Sequence, residues 1–220
     1  MRKSTTFLSL AAAAALVAGV GIAAAPAQAK VTSKVSGSTT ITILPEVYTQ
    51  LGVAGVQFQA LPPASSTNPP GTQALRFPVT APFKPGAVAN TGIMTIGASI
   101  DRIDLSLPVL EYSRTKGSTT GQITFKDDYA AIGADRVTVF DIDNLSVKVT
   151  KGKVAKLGAT WKRTDRHHIT GSLSVVDDAQ FVSALNAYIG TTFFTPGMEF
   201  GTLDSKASTT ITCTTRRECA

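Results

Sequence analysis

Apolar residues recur at every second position along most of this chain, a spacing that suits pleated strands with one face turned to a core and little else. Ile103, Leu105, Leu107 and Val109 alternate with Asp104, Ser106 and Pro108, and Leu145, Val147 and Val149 alternate with Ser146, Lys148 and Thr150. Shorter runs repeat the pattern at Ile41 and Ile43, Ile123 and Phe125, Val137 and Val139, Leu173 and Val175, and Ile211 and Cys213. A helix would scatter such residues around its circumference. After Val139 the apolar phase moves to Phe140 and Ile142, and a β-bulge there restores register. Lys151-Gly152-Lys153 predicts a three-residue hairpin that sets Val147 opposite Leu157, Leu145 opposite Ala159 and Lys148 opposite Lys156. Like charges facing each other in this way are either well solvated or placed to receive an anion.

Two short helices interrupt the strands. Residues 45–51 open on Pro45, which the first helical position tolerates, with Gly52 as a left-handed cap. Asp177 or Asp178 caps the second, where Phe181, Leu185 and Ile189 recur at helical spacing as core contacts and Gly190 stops the helix. The two helical regions sit in similar surroundings, either a weak internal duplication or two like strand-helix-strand units. Residues 61–71, with Pro62, Pro63, Pro69 and Pro70, and residues 81–92, with Pro82, Pro85 and Gly86, read as loops. About ten strands with two helices and proline-rich turns predict an all-β, two-layer antiparallel β-sandwich, with a closed barrel as the alternative.

Ahead of this pattern, Arg2 and Lys3, the apolar run from Phe7 to Ala25, and Ala27-Gln28-Ala29 have the form of a signal peptide over residues 1–29. Residues 30–220 are then expected to be one secreted domain, working outside the cell or at its envelope. No cysteine in the first thirty residues offers a lipidation site, and no later run approaches the roughly 18–20 apolar residues of a membrane span. Taking 29 residues from 220 leaves 191. That suits a single β domain burying about 70% of its unfolded surface. Loss of Arg2 and Lys3 lowers the formal charge from +6 to +4, too mild a balance for a nucleic-acid partner. Cys213 and Cys219 are the only cysteines. In an exported chain they are expected to pair. The short loop they close contributes at most about 2–3 kcal/mol and pins a fraying end.

The mature chain carries no GxSxG elbow, no HExxH, no zinc spacing of cysteines and no phosphate-cradling loop, so no enzyme activity is expected. Asp127-Asp128 and Asp141 with Asp143 read as turn and strand-end residues. His167 and His168 are the only histidines. As neighbours on a strand they point to opposite faces and cannot chelate one metal, and a surface hairpin tip accounts for them. Between Leu145 and His168 stand Lys148, Lys151, Lys153, Lys156, Lys162, Arg163 and Arg166 against a single acid, Asp165. This patch is the candidate site for carboxylates, phosphates or an anionic envelope polymer.

Several stretches, in order, resemble the heme-transport-associated (HtaA-like) domain of exported actinobacterial proteins. They are residues 43–56 (ILPEVYTQLGVAGV), a proline-rich loop with Arg76-Phe77-Pro78-Val79, Gly92-Ile93-Met94-Thr95-Ile96-Gly97 with the strand at 103–110, and Leu185-Asn186-Ala187-Tyr188-Ile189-Gly190 followed by Phe194, Pro196-Gly197 and Phe200-Gly201. The resemblance implies heme as ligand, held through a tyrosine supported by a histidine. The chain departs from that pattern. Residues 30–40 hold no tyrosine, the only tryptophan is Trp161, and Gly97-Ala98-Ser99 stands where a histidine would follow. No iron ligand is carried over, and Tyr48, Tyr112, Tyr129 and Tyr188 are expected to be packing residues. The expected function is a secreted, non-enzymatic domain for heme binding or acquisition, with the macrocycle in an apolar slot between the sheets and its propionates at the basic hairpin. The alternative is an envelope module that binds an anionic polymer or a partner receptor without heme.

Overall fold

The computed structural model describes residues 31–81, 86–98, 101–115, 118–127 and 136–220. The expected signal peptide, Pro82, Pro85, Ser99, Asp128 and Tyr129 lie outside the described residues. In chain order the elements are β1 (Thr32–Ile43), α1 (Pro45–Val53), β2 (Val56–Leu61), β3 (Ser65–Thr67), β4 (Ala74–Pro78), β5 (Ala87–Ala89), β6 (Ile93–Ala98), β7 (Asp101–Thr115) and β8 (Ser118–Asp127). There follow β9 (Arg136–Thr150), β10 (Ala155–Leu157), β11 (Thr160–Val175), α2 (Ala179–Ile189), β12 (Glu199–Cys213) and α3 (Arg216–Cys219).

The fold is all-β, as the alternation predicts. The strands form one antiparallel sheet in the order β2-β6-β7-β8-β9-β11-β12-β1-β4-β3, with β5 beside β7 and β10 beside β11. The sheet curls until its two ends, β2 and β3, come into contact. The result is a barrel-like sandwich, intermediate between the two architectures that the sequence offers. Curling follows from the apolar inner face. A sheet with one such face buries it by closing on itself or on a second layer.

Phenylalanines bridge the walls. Phe58 of β2 lies 5.2 Å from Phe200 of β12, Phe200 lies 4.8 Å from Phe140 of β9, and Phe140 and Phe77 of β4 flank Phe125 of β8 at 6.5 and 6.3 Å, ring centre to ring centre. Such tilted and edge-to-face contacts add to the area each ring buries.

The bulge in β9 lies where the phase shift places it. Ile123 pairs with Phe140 while Thr124 pairs with Thr138, so Val139 is the extra residue and both Val139 and Phe140 are buried. Asn144, at φ 51°, marks a second irregularity opposite Gly171. A Cβ on Gly171 would stand 2.5 Å from Ile142 Cγ2, so only glycine fits beside that bulge.

Four expectations are corrected. The first is the inward row of β7, which breaks at Leu107. This residue has φ 47° and is 47% exposed, and the next buried positions are Pro108 and Leu110, out of phase with the row before it. Residues 101–106 pair with β6 and residues 109–111 with β5. Between them Pro108 has no N–H to give to a ladder, so the strand changes partner and phase at that point.

The second is the hairpin. Its turn falls at Gly158-Ala159, not at Lys151–Lys153: β10 pairs with β11 from Ala155↔Lys162 to Leu157↔Thr160. Lys148 therefore faces His168, Val147 faces Ile169, and Lys156 faces Trp161. Gly158, at φ 60°, supplies the left-handed residue of the two-residue turn. His167 and His168 lie within β11 and not at a tip.

The third is the cap of α1. Gly52 is inside the helix, which runs to Val53, and the left-handed residue after it is Gly55 at φ 69°. The fourth concerns the loops, which contain the short strands β3 and β5. The end of α2 follows expectation, with Asp178 accepting from the N–H groups of Gln180 and Phe181 and Gly190 left-handed at φ 68°. The two strand-helix-strand units are not equivalent, because β11 and β12 are neighbours whereas β1 and β2 are not.

Replacement of Leu105, fully buried, by Ala is expected to cost about 2–5 kcal/mol in urea unfolding. Leu107→Ser, two positions on in the same apolar row of the sequence, is expected to change stability by no more than about 0.5 kcal/mol. Equal losses at the two positions would contradict the bulge.

Candidate functional site

Both long helices sit at one end of the sheet, α1 after β1 and α2 between β11 and β12. An open cleft of about 730 Å³ lies between their C-terminal ends, lined by Gln50, Val53, Ala54, Asn186, Ala187, Gly190, Thr191, Thr192 and Phe193. Its geometry follows from local sequence. Gly190 turns the chain sharply after α2. The Asn186 amide then holds the following loop by donating to the Phe194 carbonyl at 2.8 Å and accepting from the Phe194 N–H at 3.2 Å. Phe194 is buried edge-on against Phe58, which leaves Phe193 half-exposed at the cleft. Val53 is 87% exposed, and no periodicity in the sequence marks it as a surface residue. A second chamber of about 440 Å³ continues along α2 past Asn186 and Thr191 to Val182 and Pro196.

Such dimensions suit a drug-sized or cofactor-sized ligand. The lining offers apolar surface, amides and hydroxyls. It offers no tyrosine, histidine, cysteine, methionine or lysine, so the cleft fits the apolar faces of a porphyrin and not its iron. Tyr48 points to the other side of α1. There, with Gln57, Gln59, Asn68 and the buried Gln73, it lines a separate polar groove of about 620 Å³. Tyr48 and Tyr112 pack against the core as expected, whereas Tyr188 is 42% exposed. Among the described residues no group of three or more histidines, cysteines or carboxylates is placed to hold a metal.

No family model matches the chain, and no curated protein matches it. Two solved structures are similar. The heme binding protein HtaB from Corynebacterium glutamicum is 12% identical, with a TM-score of 0.48, over 84% of this chain and 99% of that one. The C-terminal domain of HtaA from the same organism is 11% identical, with a TM-score of 0.38, over 81% of this chain and 99% of that one.

The basic segment lies at the opposite end of the molecule. From Arg166 to the end of β11 at Val175 the chain runs nine residues, about 30 Å at the usual strand rise, and the helices lie beyond. A ligand in the cleft between the helices therefore has no basic hairpin within reach. The expected pairing of an apolar slot with propionate-binding lysines is not present in the fold.

The segment is also divided among surfaces. Lys148, Lys162 and Arg166 stand on the outer face of the sheet. They share it with Lys206 and His168, which pair across β11 and β12, and with Lys34 of β1. Lys151 and Lys153 flank Gly152, which leaves the ladder to pass against the Thr164 backbone and give its N–H to Asp165 Oδ1 at 3.1 Å. Lys156 shares the face of Trp161, opposite to that of Lys162.

Arg163 is withdrawn from the surface. Its Nε lies 3.0 Å from Asp165 Oδ1, with both side chains mostly buried, and its Nη1 donates to the carbonyl oxygens of Cys219 and Ala220. The Cys213–Cys219 disulfide folds α3 onto β11 and β12, and Arg216 lies 5.9 Å over the Trp161 ring. This end of the fold is thus held by one disulfide, one ion pair and one cation–π contact.

On the outer face Asp204 joins Lys206 Nζ at 2.5 Å and His168 Nε2 at 2.9 Å. Burial works against the Asp204 carboxylate, but the hydrogen bonds from Lys206 and His168 outweigh it and hold its pKa below the usual range. A lowered pKa stabilises the fold above the ordinary carboxylate range, and the contribution is lost as pH falls through the folded value.

Four carboxylates, Glu111, Asp141, Asp143 and Asp177, share a further groove. Asp141 accepts from Gln122 and from the Asp177 N–H, and Asp143 accepts from Ser174. Asp141 and Asp143 thus bind neighbouring strands together from within β9, and not at the turn or strand end read from the sequence.

Asp165→Asn leaves the Arg163 guanidinium mostly buried without its counter-charge and is expected to cost about 3 kcal/mol in chemical unfolding. Lys156→Ala, in the same basic segment but exposed, is expected to stay within about 0.5 kcal/mol. A neutral outcome for Asp165→Asn would remove the ion pair from the account. Asp204→Asn should be less stable than wild type at neutral pH, and the difference should shrink only as pH falls below the ordinary carboxylate range.

Proposed function

We propose that this chain is an exported, non-enzymatic binding protein that takes a planar, largely apolar ligand of porphyrin size between α1 and α2. The observation that carries this reading is the cleft itself: about 730 Å³, with Val53, Ala54, Ala187 and Phe193 presenting apolar surface beside the amides of Gln50 and Asn186. A side chain as exposed as Val53 gains when a flat apolar ligand covers it. The sequence resemblance to heme-transport-associated domains, which includes residues of α1 and α2, makes heme the first ligand to test. Export and a place at the cell envelope rest on the leader-like residues 1–29. Acquisition of heme, as distinct from binding it, would require transfer to a partner.

The lining residues hold no iron ligand, so affinity comes from covering the macrocycle. Metal-free protoporphyrin is therefore expected to bind within about threefold of hemin, a difference of roughly 0.7 kcal/mol. Val53→Asp is expected to weaken both by about tenfold or more, without loss of folding because Val53 is exposed. Absorbance titration of both ligands measures this. Hemin binding far tighter than protoporphyrin, with a phenolate-to-iron charge-transfer band, would mean that a side chain outside the cleft holds the metal. Absence of saturable binding by either would reject the reading.

A further inference from the structure

Away from the helices, the outer face of β9, β11, β12 and β1 carries Lys148, Lys162, Arg166, His168, Lys206 and Lys34 with one carboxylate among them, Asp204, while Asp141 and Asp143 stand on the same face of β9 nearer the helices. Asp204 is already engaged by Lys206 and His168. Lys34, Lys148, Lys162 and Arg166 meet no carboxylate at ion-pair distance among the described residues. Only part of this set is contiguous in sequence. Pleating brings Lys206 and Lys34 in from other strands and turns Arg163 and Lys156 away.

The spacing of these cations selects the form of the anion. Lys148, His168 and Lys206 stand directly opposite one another on three neighbouring strands, about 5 Å apart. Arg166 is one pleat repeat along, about 6.6 Å away, and Lys162 about 13 Å further. Cations spread over the outside of a curling sheet do not converge on one small phosphate or carboxylate. They match a chain of separated charges.

Hydroxyl side chains fill the intervals: Ser208 pairs with Arg166, Thr212 pairs with Lys162, and Thr164 is hydrogen-bonded to Thr210 at 3.1 Å. No Phe, Tyr or Trp stands among these residues, so the face lacks the large aromatic platforms on which successive nucleobases stack. We propose that this face binds a linear polyanion in which phosphodiesters alternate with short hydroxylated spacers, the cations meeting phosphates and the Ser and Thr hydroxyls meeting the spacers. The site is independent of the cleft between the helices and stands whether or not that cleft binds a porphyrin.

The test uses residues 30–220 and a synthetic poly(glycerol phosphate), followed by calorimetry at several salt concentrations. Lys148→Glu/Arg166→Glu/Lys206→Glu is expected to weaken binding at least about a hundredfold and to flatten the salt dependence by about three phosphate contacts. Lys151→Glu/Lys153→Glu/Lys156→Glu makes the same change in net charge off this face and is expected to cost no more than about threefold. Equal losses in the two triple variants would show attraction by net charge alone and overturn the proposal. So would failure of the wild-type protein to bind at 50 mM salt, or tighter binding of single-stranded DNA with the same number of phosphates. Circular dichroism on both variants separates lost binding from lost folding.

Discussion

The interior of this protein changes character along its long strands, and that gradient governs the rest of the structure. Near the helices the inward residues of β1, β11 and β12 are Ile41, Ile43, Leu173, Phe200 and Leu203, all buried and packed into the phenylalanine column. Midway the inward positions turn polar. Thr39 donates to Asn90 Oδ1 at 2.8 Å and lies 2.9 Å from Ser205 Oγ, while the Asn90 amide donates to backbone carbonyls. A buried polar group without partners costs more than its bond returns, so this small network permits an interior that aliphatic side chains no longer fill. At the far end Arg163 and Asp165 occupy inward positions, and cohesion passes to the ion pair and the disulfide. The Cys213–Cys219 pair therefore stands where hydrophobic packing is weakest.

The same gradient separates the surfaces. Apolar area in excess of what the barrel can enclose emerges between α1 and α2 as the cleft around Val53 and Phe193. At the other end the strands continue beyond the apolar core as a sheet that presents cations and hydroxyls outward. Strands of 12 to 16 residues, such as β1, β11 and β12, are long enough to join two surfaces that share no side chain. Binding of a flat ligand at one end need not perturb the other.

Much of the fold is legible in the sequence because period two is a local property. The strands, the bulge at Val139, the Asp178 and Gly190 boundaries of α2 and the pairing of Cys213 with Cys219 all follow from neighbouring residues. What is not legible depends on partners far along the chain. Lys151-Gly152-Lys153 has the composition of a turn, yet the ladder to β11 extends beyond it, because Gly152 can pass against the Thr164 backbone and let β10 rejoin. Leu107 has the phase of a core residue, but Pro108 makes β7 change partners there. The basic run is continuous in sequence and divided in space, because alternation sends Lys162 and Arg163 to opposite faces and Lys206 arrives from β12. Neither alternation nor a chemical motif marks the cleft: Gln50, Val53 and Ala187 fall in stretches that carry the family resemblance, but they and Phe193 meet only when α1 and α2 are set at the same end of the sheet.

Two recognition surfaces, one apolar and one cationic, are proposed at opposite ends of a single strand set. Titration of protoporphyrin in the absence and presence of saturating poly(glycerol phosphate) tests this arrangement most directly. Two separate surfaces predict that both ligands bind at once and that the porphyrin affinity is unchanged by the polymer. Displacement of one ligand by the other would place both at a single site and contradict the account.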